Sequence, residues 1–254
     1  MPHVSIVVPC YNEAERFDAD AFVRYRAEHS ELRFTLVDDG SSDDTLRVLR
    51  AAADRDPEGF EVLALPVNGG KAEAVRAGLL HAMRDGTTKI VGYFDADLAT
   101  PLDMIAPMVS RLEDQAALEI VIASRVQLLG RHIKRDRMRH YAGRVFATCA
   151  SMLLQMPIYD TQCGAKLFRV TPTLHDAIRE RFVTGWTFDV ELFSRMQGLR
   201  EQQGLPPLEA VTFEFPLDRW TDVDGSKVRA RDFPVALRDL ARIGWSHRGG
   251  YGGR

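Results

Sequence analysis

Five short apolar runs rich in β-branched residues, Val4 to Pro9, Phe34 to Val37, Phe60 to Leu65, Lys89 to Phe94 and Glu119 to Ala123, alternate with segments long enough for a helix. Unbroken apolar strands are buried on both faces, and strands separated by helices return parallel to one another. The pattern therefore predicts an α/β fold, a mostly parallel central sheet flanked by helices. Two helices are legible directly. Asp43 and Asp44 cap a run from Thr45 to Asp54, and Gly69-Gly70 precede a run from Lys71 to Arg84 with Ala72, Val75, Leu79 and Met83 at helical spacing.

Past residue 125 the alternation fails. A basic stretch, the apolar run Val145 to Met156, a Gly-containing segment at Tyr159 to Phe168 and a helical pattern from Phe188 to Leu199 follow, expected as an elaboration of one domain. The Gly/Arg-rich ending, residues 246–254, is expected to be a flexible tail. With 33 Lys and Arg against 36 Asp and Glu the net charge is −3, which argues against a surface built to hold nucleic acid. Cys10, Cys149 and Cys163 are too few and too scattered for a disulfide framework or a zinc site, and a reducing, cytoplasmic setting fits them. No run approaches the roughly 20 apolar residues of a membrane span. The amino terminus enters a β-branched run without the basic region of a secretory leader, so secretion is not expected.

Three clusters carry chemistry, each at the end of an apolar run, where open α/β sheets place their ligands. Pro9-Cys10-Tyr11-Asn12-Glu13 follows the first run. Asp38-Asp39-Gly40-Ser41-Ser42-Asp43 follows the second; Ser42 or Asp43 reads as a helix cap, whereas Asp38 and Asp39 are placed to accept bonds from a ribose hydroxyl or a base N–H. Gly92-Tyr93-Phe94 runs into Asp95-Ala96-Asp97. Two carboxylates that close repel unless a cation holds them, and Mg²⁺ or Mn²⁺ takes one or two carboxylates and completes its shell with substrate phosphates.

The segments Val4 to Glu13, Val37 to Asp44, Asn68-Gly69-Gly70-Lys71 and Phe94-Asp95-Ala96-Asp97 together resemble inverting glycosyltransferases of family 2, which have the Rossmann-like GT-A fold. Asp97 to Pro101, Ala123-Ser124-Arg125, Asp160 to Phe168, Trp186 to Leu192 and Gly225-Ser226-Lys227 are similar to the dolichyl-phosphate glucosyltransferase branch and its polyprenyl-phosphate relatives. The resemblance spans about residues 3 to 245. It implies one GT-A domain over 1–245, with a nucleotide-binding half at 1–124 and an acceptor-side half at 125–245.

On that resemblance Pro9, Tyr11 and Glu13 line the nucleotide, Asp39 or Asp38 meets the uracil or ribose, and Lys71 lies nearby. Asp95 faces the ribose or sugar, Ala96 sits between the acids, and Asp97 holds the metal. Where related mannose synthases have a metal-reaching glutamine two places after the second acid, this chain has Ala99. Arg125 and Arg139 are implied to clamp an acceptor phosphate. Gln162, Lys166, Asp189 and Glu191 belong to the sugar-facing part of the family's site or else to packing, and Trp186 and Trp220 are candidates to stack on the sugar. Lys227, in a Gly-Ser loop, is a candidate to meet the diphosphate or else a solvated lysine. His132 and His140 read as solvated or structural.

The implied reaction moves a hexose, glucose by resemblance, from a UDP-sugar to a polyprenyl or dolichyl phosphate. A phosphate monoester is largely dianionic at pH 7, so it needs gathered positive charge rather than a base. Arg131 to Arg144 carries six Lys or Arg and one Asp, and with the apolar run after it is expected to form a basic, amphipathic helix over 131–156. That segment reads either as a solvated basic face beside a core helix or as an interfacial helix on the cytoplasmic face of a membrane. A soluble hydroxyl acceptor would instead require Asp189 or Glu191 as base, and a non-catalytic nucleotide-sugar binder is the third reading. A separate membrane-anchoring protein partner stays open.

Overall fold

The structure is a computed structural model that describes residues 3–134, 137–221 and 233–248. Its centre is a seven-stranded sheet of β1 (Val4–Cys10), β2 (Leu32–Asp38), β3 (Phe60–Ala64), β4 (Ile90–Phe94), β5 (Ile120–Ser124), β7 (Ala165–Arg169) and β8 (Thr212–Pro216), in the order β3-β2-β1-β4-β7-β5-β8. A short parallel pair, β6 (His132–Lys134) and β9 (Arg219–Thr221), stands apart. The sheet pairs are parallel except those of β7, which runs against both β4 and β5. The Gly-containing segment is thus in part a strand, pairing Phe94 with Ala165 and Ile122 with Lys166.

Helices α1 (Ala19–Glu28), α2 (Thr45–Ala53) and α4 (Ile105–Asp114) cover one face; α3 (Lys71–Met83), α5 (Arg137–Leu154), α6 (Pro172–Arg179), α7 (Phe188–Gln202) and α8 (Phe233–Arg248) cover the other. The period of two in β1 sorts its side chains between these layers: Val4, Ile6 and Val8 join the first core and Val7 the second. The helix expected over 131–156 is shorter at both ends: His132–Lys134 instead pair with β9 as β6, and α5 joins the basic stretch to the apolar run as one helix of 18 residues from Arg137 to Leu154. The expected tail begins later than 246, since α8 continues to Arg248 and residues 249–254 lie outside the described residues. Among the described residues no helix is long and apolar enough to cross a membrane.

Glycine sets how closely α3 approaches the sheet. A Cβ at Gly78 would come 2.4 Å from Val7 Cγ1 and 2.9 Å from Val37 Cγ2, so the helix lies directly on β1 and β2. Gly78→Val should cost about 2 kcal/mol through overpacking, read as a lowered urea midpoint with unchanged m-value.

Candidate active site

The ends of β1 and β2 are stitched into one rim. Asn12, at φ 50°, accepts the Ser42 N–H on its side-chain Oδ1 (3.0 Å) and donates its backbone N–H to Ser41 Oγ (3.0 Å). Glu13 N–H donates to Thr45 Oγ1 (2.8 Å) and Ala14 N–H to Asp43 Oδ2 (3.2 Å). Asp43 therefore joins two loops, whereas the cap position of α2 falls to Asp44, whose side chain makes no capping bond. Asp38 and Asp39 are both buried. Asp39 Oδ1 accepts the Gly69 N–H (2.8 Å). Burial pushes the Asp39 carboxyl above its usual range, Asp38 and Glu73 add to the push, and the N–H groups of Gly69 and Gly70 oppose it. Gly40, at φ 62°, permits this approach: a Cβ there would sit 2.5 Å from Asn68 N.

Beside this rim, β4 delivers the acid pair. Lys71, the first residue of α3, places Nζ 2.6 Å from Asp95 Oδ1. Burial would lower the Lys71 pKa, but the charge of and bond to Asp95 outweigh it, and Asp189 and Asp97 push the same way, so the ammonium is held protonated. Asp95 rests on Gly164: its N–H donates to Gly164 O (2.9 Å), and a Cβ at Gly164 would lie 1.8 Å from Asp95 Oδ2. Asp97 is exposed, with Leu98 at φ 55° turning the chain so that Ala99 N–H reaches Asp97 Oδ1 (3.0 Å). Desolvation and then the charge of Asp95 raise the Asp97 pKa, against the pull of Ala99 N–H, Lys71 and Arg16. These residues fit a hard divalent ion. Asp97 offers an oxygen beyond the one turned to Ala99, the like charge of Asp95 makes a cation welcome, and among the described residues no three metal-ligating side chains converge to cage an ion without substrate.

Beneath the pair lies a buried layer. Lys166, fully buried, donates to Cys163 O (2.7 Å) and lies 3.0 Å from Asp189 Oδ1, which also accepts the Tyr93 hydroxyl. Burial, then the charge of Asp189, pushes the Tyr93 hydroxyl well above its usual range, so it remains a donor. Arg125 grips Asp160 with two nitrogens, Nε at 2.6 Å and Nη2 at 2.8 Å, while lying over the Trp220 ring. Burial would lower the Arg125 pKa, but Asp160 outweighs it and holds the group charged. Burial pushes the Cys163 thiol up to about 11, which leaves no thiolate nucleophile at neutral pH.

The candidates from the sequence thus separate. Asp38, Asp39, Lys71, Asp95, Asp97 and Asp189 share one neighbourhood, and the Asp95 charge reaches Arg125. Pro9 and Tyr11 are partly exposed on the rim, Ala96 and Glu13 are buried, and Arg16 donates to Glu13. Glu191 is turned away from the acid pair: with no exposed surface, it accepts from Val183 N–H, Thr184 N–H, Thr184 Oγ1 and Arg195. Lys166 serves Asp189 from within the core, Gln162 donates its N–H to Asp160, and Trp220 packs under Arg125. Trp186 meets Phe146 of α5, ring centroids 5.5 Å apart. Arg139 is on α5 but its side chain lies outside the described residues, as does all of Lys227. Tyr93, Gly164 and Asp160 were missed as site residues. Tyr93 carries a signal, a hydroxyl inside an otherwise apolar central strand two residues before Asp95.

Paired acids after the fourth strand of a sheet in this order, with one antiparallel insertion, define a class: glycosyltransferases of the GT-A fold. The fold matches glucosyl-3-phosphoglycerate synthase from Mycobacterium tuberculosis, solved with Mn²⁺, UDP-glucose and phosphoglyceric acid, with a TM-score of 0.67 over 98% of this chain and 80% of that one at 17% identity. Residues 5–176 match the Glycosyl transferase family 2 profile. The dolichyl-phosphate beta-glucosyltransferases of Dictyostelium discoideum and Saccharomyces cerevisiae are each 30% identical, over 95% and 94% of this chain and 73% of either relative. The chain belongs to glycosyl transferase family 2 and is an enzyme of that class.

Two substitutions check the geometry. Gly164→Ala must displace the Asp95 carboxylate and should weaken sugar-nucleotide binding about tenfold or more by calorimetry, with the circular dichroism spectrum unchanged. Asp160→Ala strands the Arg125 charge in the interior and should lower unfolding free energy by about 3 kcal/mol in urea titration.

Proposed function

We propose that this enzyme transfers glucose from UDP-glucose to a polyprenyl or dolichyl phosphate, with inversion at the anomeric carbon, at the cytoplasmic face of a membrane. The relatives named for glucosyl transfer to dolichyl phosphate support the acceptor class and the sugar. The neighbour solved with UDP-glucose and Mn²⁺ carries the same fold. The observation that carries the acceptor assignment is the state of the two candidate bases. Glu191 is sealed by four donors, and Asp189 is buried between Lys166 and the Tyr93 hydroxyl. A hydroxyl acceptor would need one of them free; a phosphate dianion needs neither.

In this reading the rim of Pro9, Tyr11, Glu13, Asp38 and Asp39 receives the uridine. Asp97, with Asp95 beside it, holds Mg²⁺ or Mn²⁺, which when bound supplies positive charge against the departing diphosphate. Lys71 keeps Asp95 in place from the α3 terminus, and Gly164 leaves the room that carboxylate requires. Lys166 offsets the Asp189 charge from below, so the floor under the sugar is neutral overall. Lys227 meets the diphosphate. Arg139 and the Nη1 of Arg125, the nitrogen its fork on Asp160 does not use, hold the acceptor phosphate. Residues 125–245 then form the acceptor side and 1–124 the donor side of one domain.

Purified enzyme with Mn²⁺, radiolabelled UDP-glucose and a polyprenyl phosphate should yield a labelled lipid; no labelled lipid from any sugar nucleotide defeats the proposal. Asp97→Ala should reduce turnover about 100-fold or more without lowering the melting temperature. The rate should rise with pH through about 6 and then level off as the acceptor becomes dianionic. A phosphonate acceptor, whose second pKa is higher, should move that rise upward; an inflection that stays with the enzyme would point to a protein base instead.

A further inference from the structure

Helix α8 takes no part in the strand-end site. It buries Ala236, Asp239, Leu240 and Ile243, one helical stripe, against the protein. Its opposite arc presents Val235, Leu237, Arg238, Arg242 and Trp245, the tryptophan 85% exposed. An indole so exposed is costly in water unless a partner covers it.

The neighbouring helix continues the face. A Cβ at Gly244 would come 2.9 Å from Leu153 Cδ1, so α8 and α5 touch closely at that level. Met152 and Trp245, each next in sequence to a member of that contact, emerge on the outside, Met152 74% exposed. Val145, two turns before Met152 on the same face, is also exposed. On the outer arc of α8 the exposed charged residues are Arg238 and Arg242, and the one carboxylate in the two helices, Asp239, is buried, receiving the Thr187 hydroxyl at 3.5 Å on one oxygen with Arg238 Nη2 3.7 Å from the other. The outer face is therefore apolar and cationic, in a chain whose net charge is −3.

We propose that the outer faces of α8 and α5 form one docking surface for an anionic phospholipid bilayer, anchored by Trp245, with Arg238 and Arg242 reaching the head groups. Apolar side chains bed at the acyl boundary, arginine stems lie along them with the charge at phosphate level, and tryptophan prefers that interface. A second copy docking the same face about a two-fold axis would set arginines against arginines, which disfavours it. The inference extends the lipid-phosphate reading of the site and rests on it for its purpose, since a docked enzyme meets its acceptor in the membrane plane.

The test is flotation of the full chain with phosphatidylcholine vesicles, with and without phosphatidylglycerol. The wild type should float with the anionic vesicles and be released at high salt. Trp245→Ala, Met152→Glu and the double variant Arg238→Glu/Arg242→Glu should each lose about tenfold or more in partition. All should keep wild-type transfer to a water-soluble short-chain isoprenyl phosphate without vesicles, which also shows that they fold. Unchanged flotation of the variants overturns the surface. So does a wild type that ignores vesicles, or one that sediments as a dimer through Trp245. A wild type that floats but never glycosylates the soluble acceptor counts against the acceptor reading and leaves the docking surface standing.

Discussion

Crowded negative charge is the constraint around which this protein is organised. Asp38, Asp39, Asp95, Asp97, Asp160 and Asp189 gather near the carboxyl ends of the central strands, several of them withdrawn from water. Carboxylates at such spacing repel one another, and desolvation adds to the cost. Five are answered locally: Asp95 by Lys71, Asp160 by Arg125, Asp189 by Lys166 and Tyr93, Asp38 by the Ser41 N–H and Asp39 by backbone N–H groups. Asp97 alone of the six is left exposed at the rim without an ion pair among the described residues, and in the proposed reading it is the one that shares a cation with the diphosphate.

The antiparallel strand makes this compensation possible. By running against β4, β7 begins where β4 ends, so Cys163 and Gly164 just before it and Lys166 within it arrive beneath the acid pair. A parallel strand there would bring its opposite end. The reversal supplies the bare backbone on which Asp95 rests and the buried ammonium that neutralises Asp189 from one short segment.

The parallel half of the fold was legible because its strands are continuous apolar runs bounded by turn residues, and the acid motifs stand at their ends. Strand β7 was not, since Ala165-Lys166-Leu167-Phe168-Arg169 contains two cations and only its setting buries the lysine. Among site residues, spacing placed Asp95 and Asp97 correctly relative to the sheet, but it carried no sign of which carboxylates would be sealed. Glu191 and Asp189 are two residues apart on α7, yet one faces Arg195 and the loop of Val183 and Thr184 while the other faces Lys166. That difference is a matter of tertiary packing. Helix α8 escaped notice because Phe233-Pro234 and the glycines after Arg248 mask a short amphipathic period.

The stitched rim bears on selectivity. Because Asn12, Ser41, Ser42, Asp43 and Thr45 lock the β1 and β2 loops to each other as the chain folds, their disorder is surrendered before any ligand arrives. On the proposed reading a nucleobase entering there would meet a rigid template, so discrimination between bases would rest on the fit to groups already in place rather than on rearrangement.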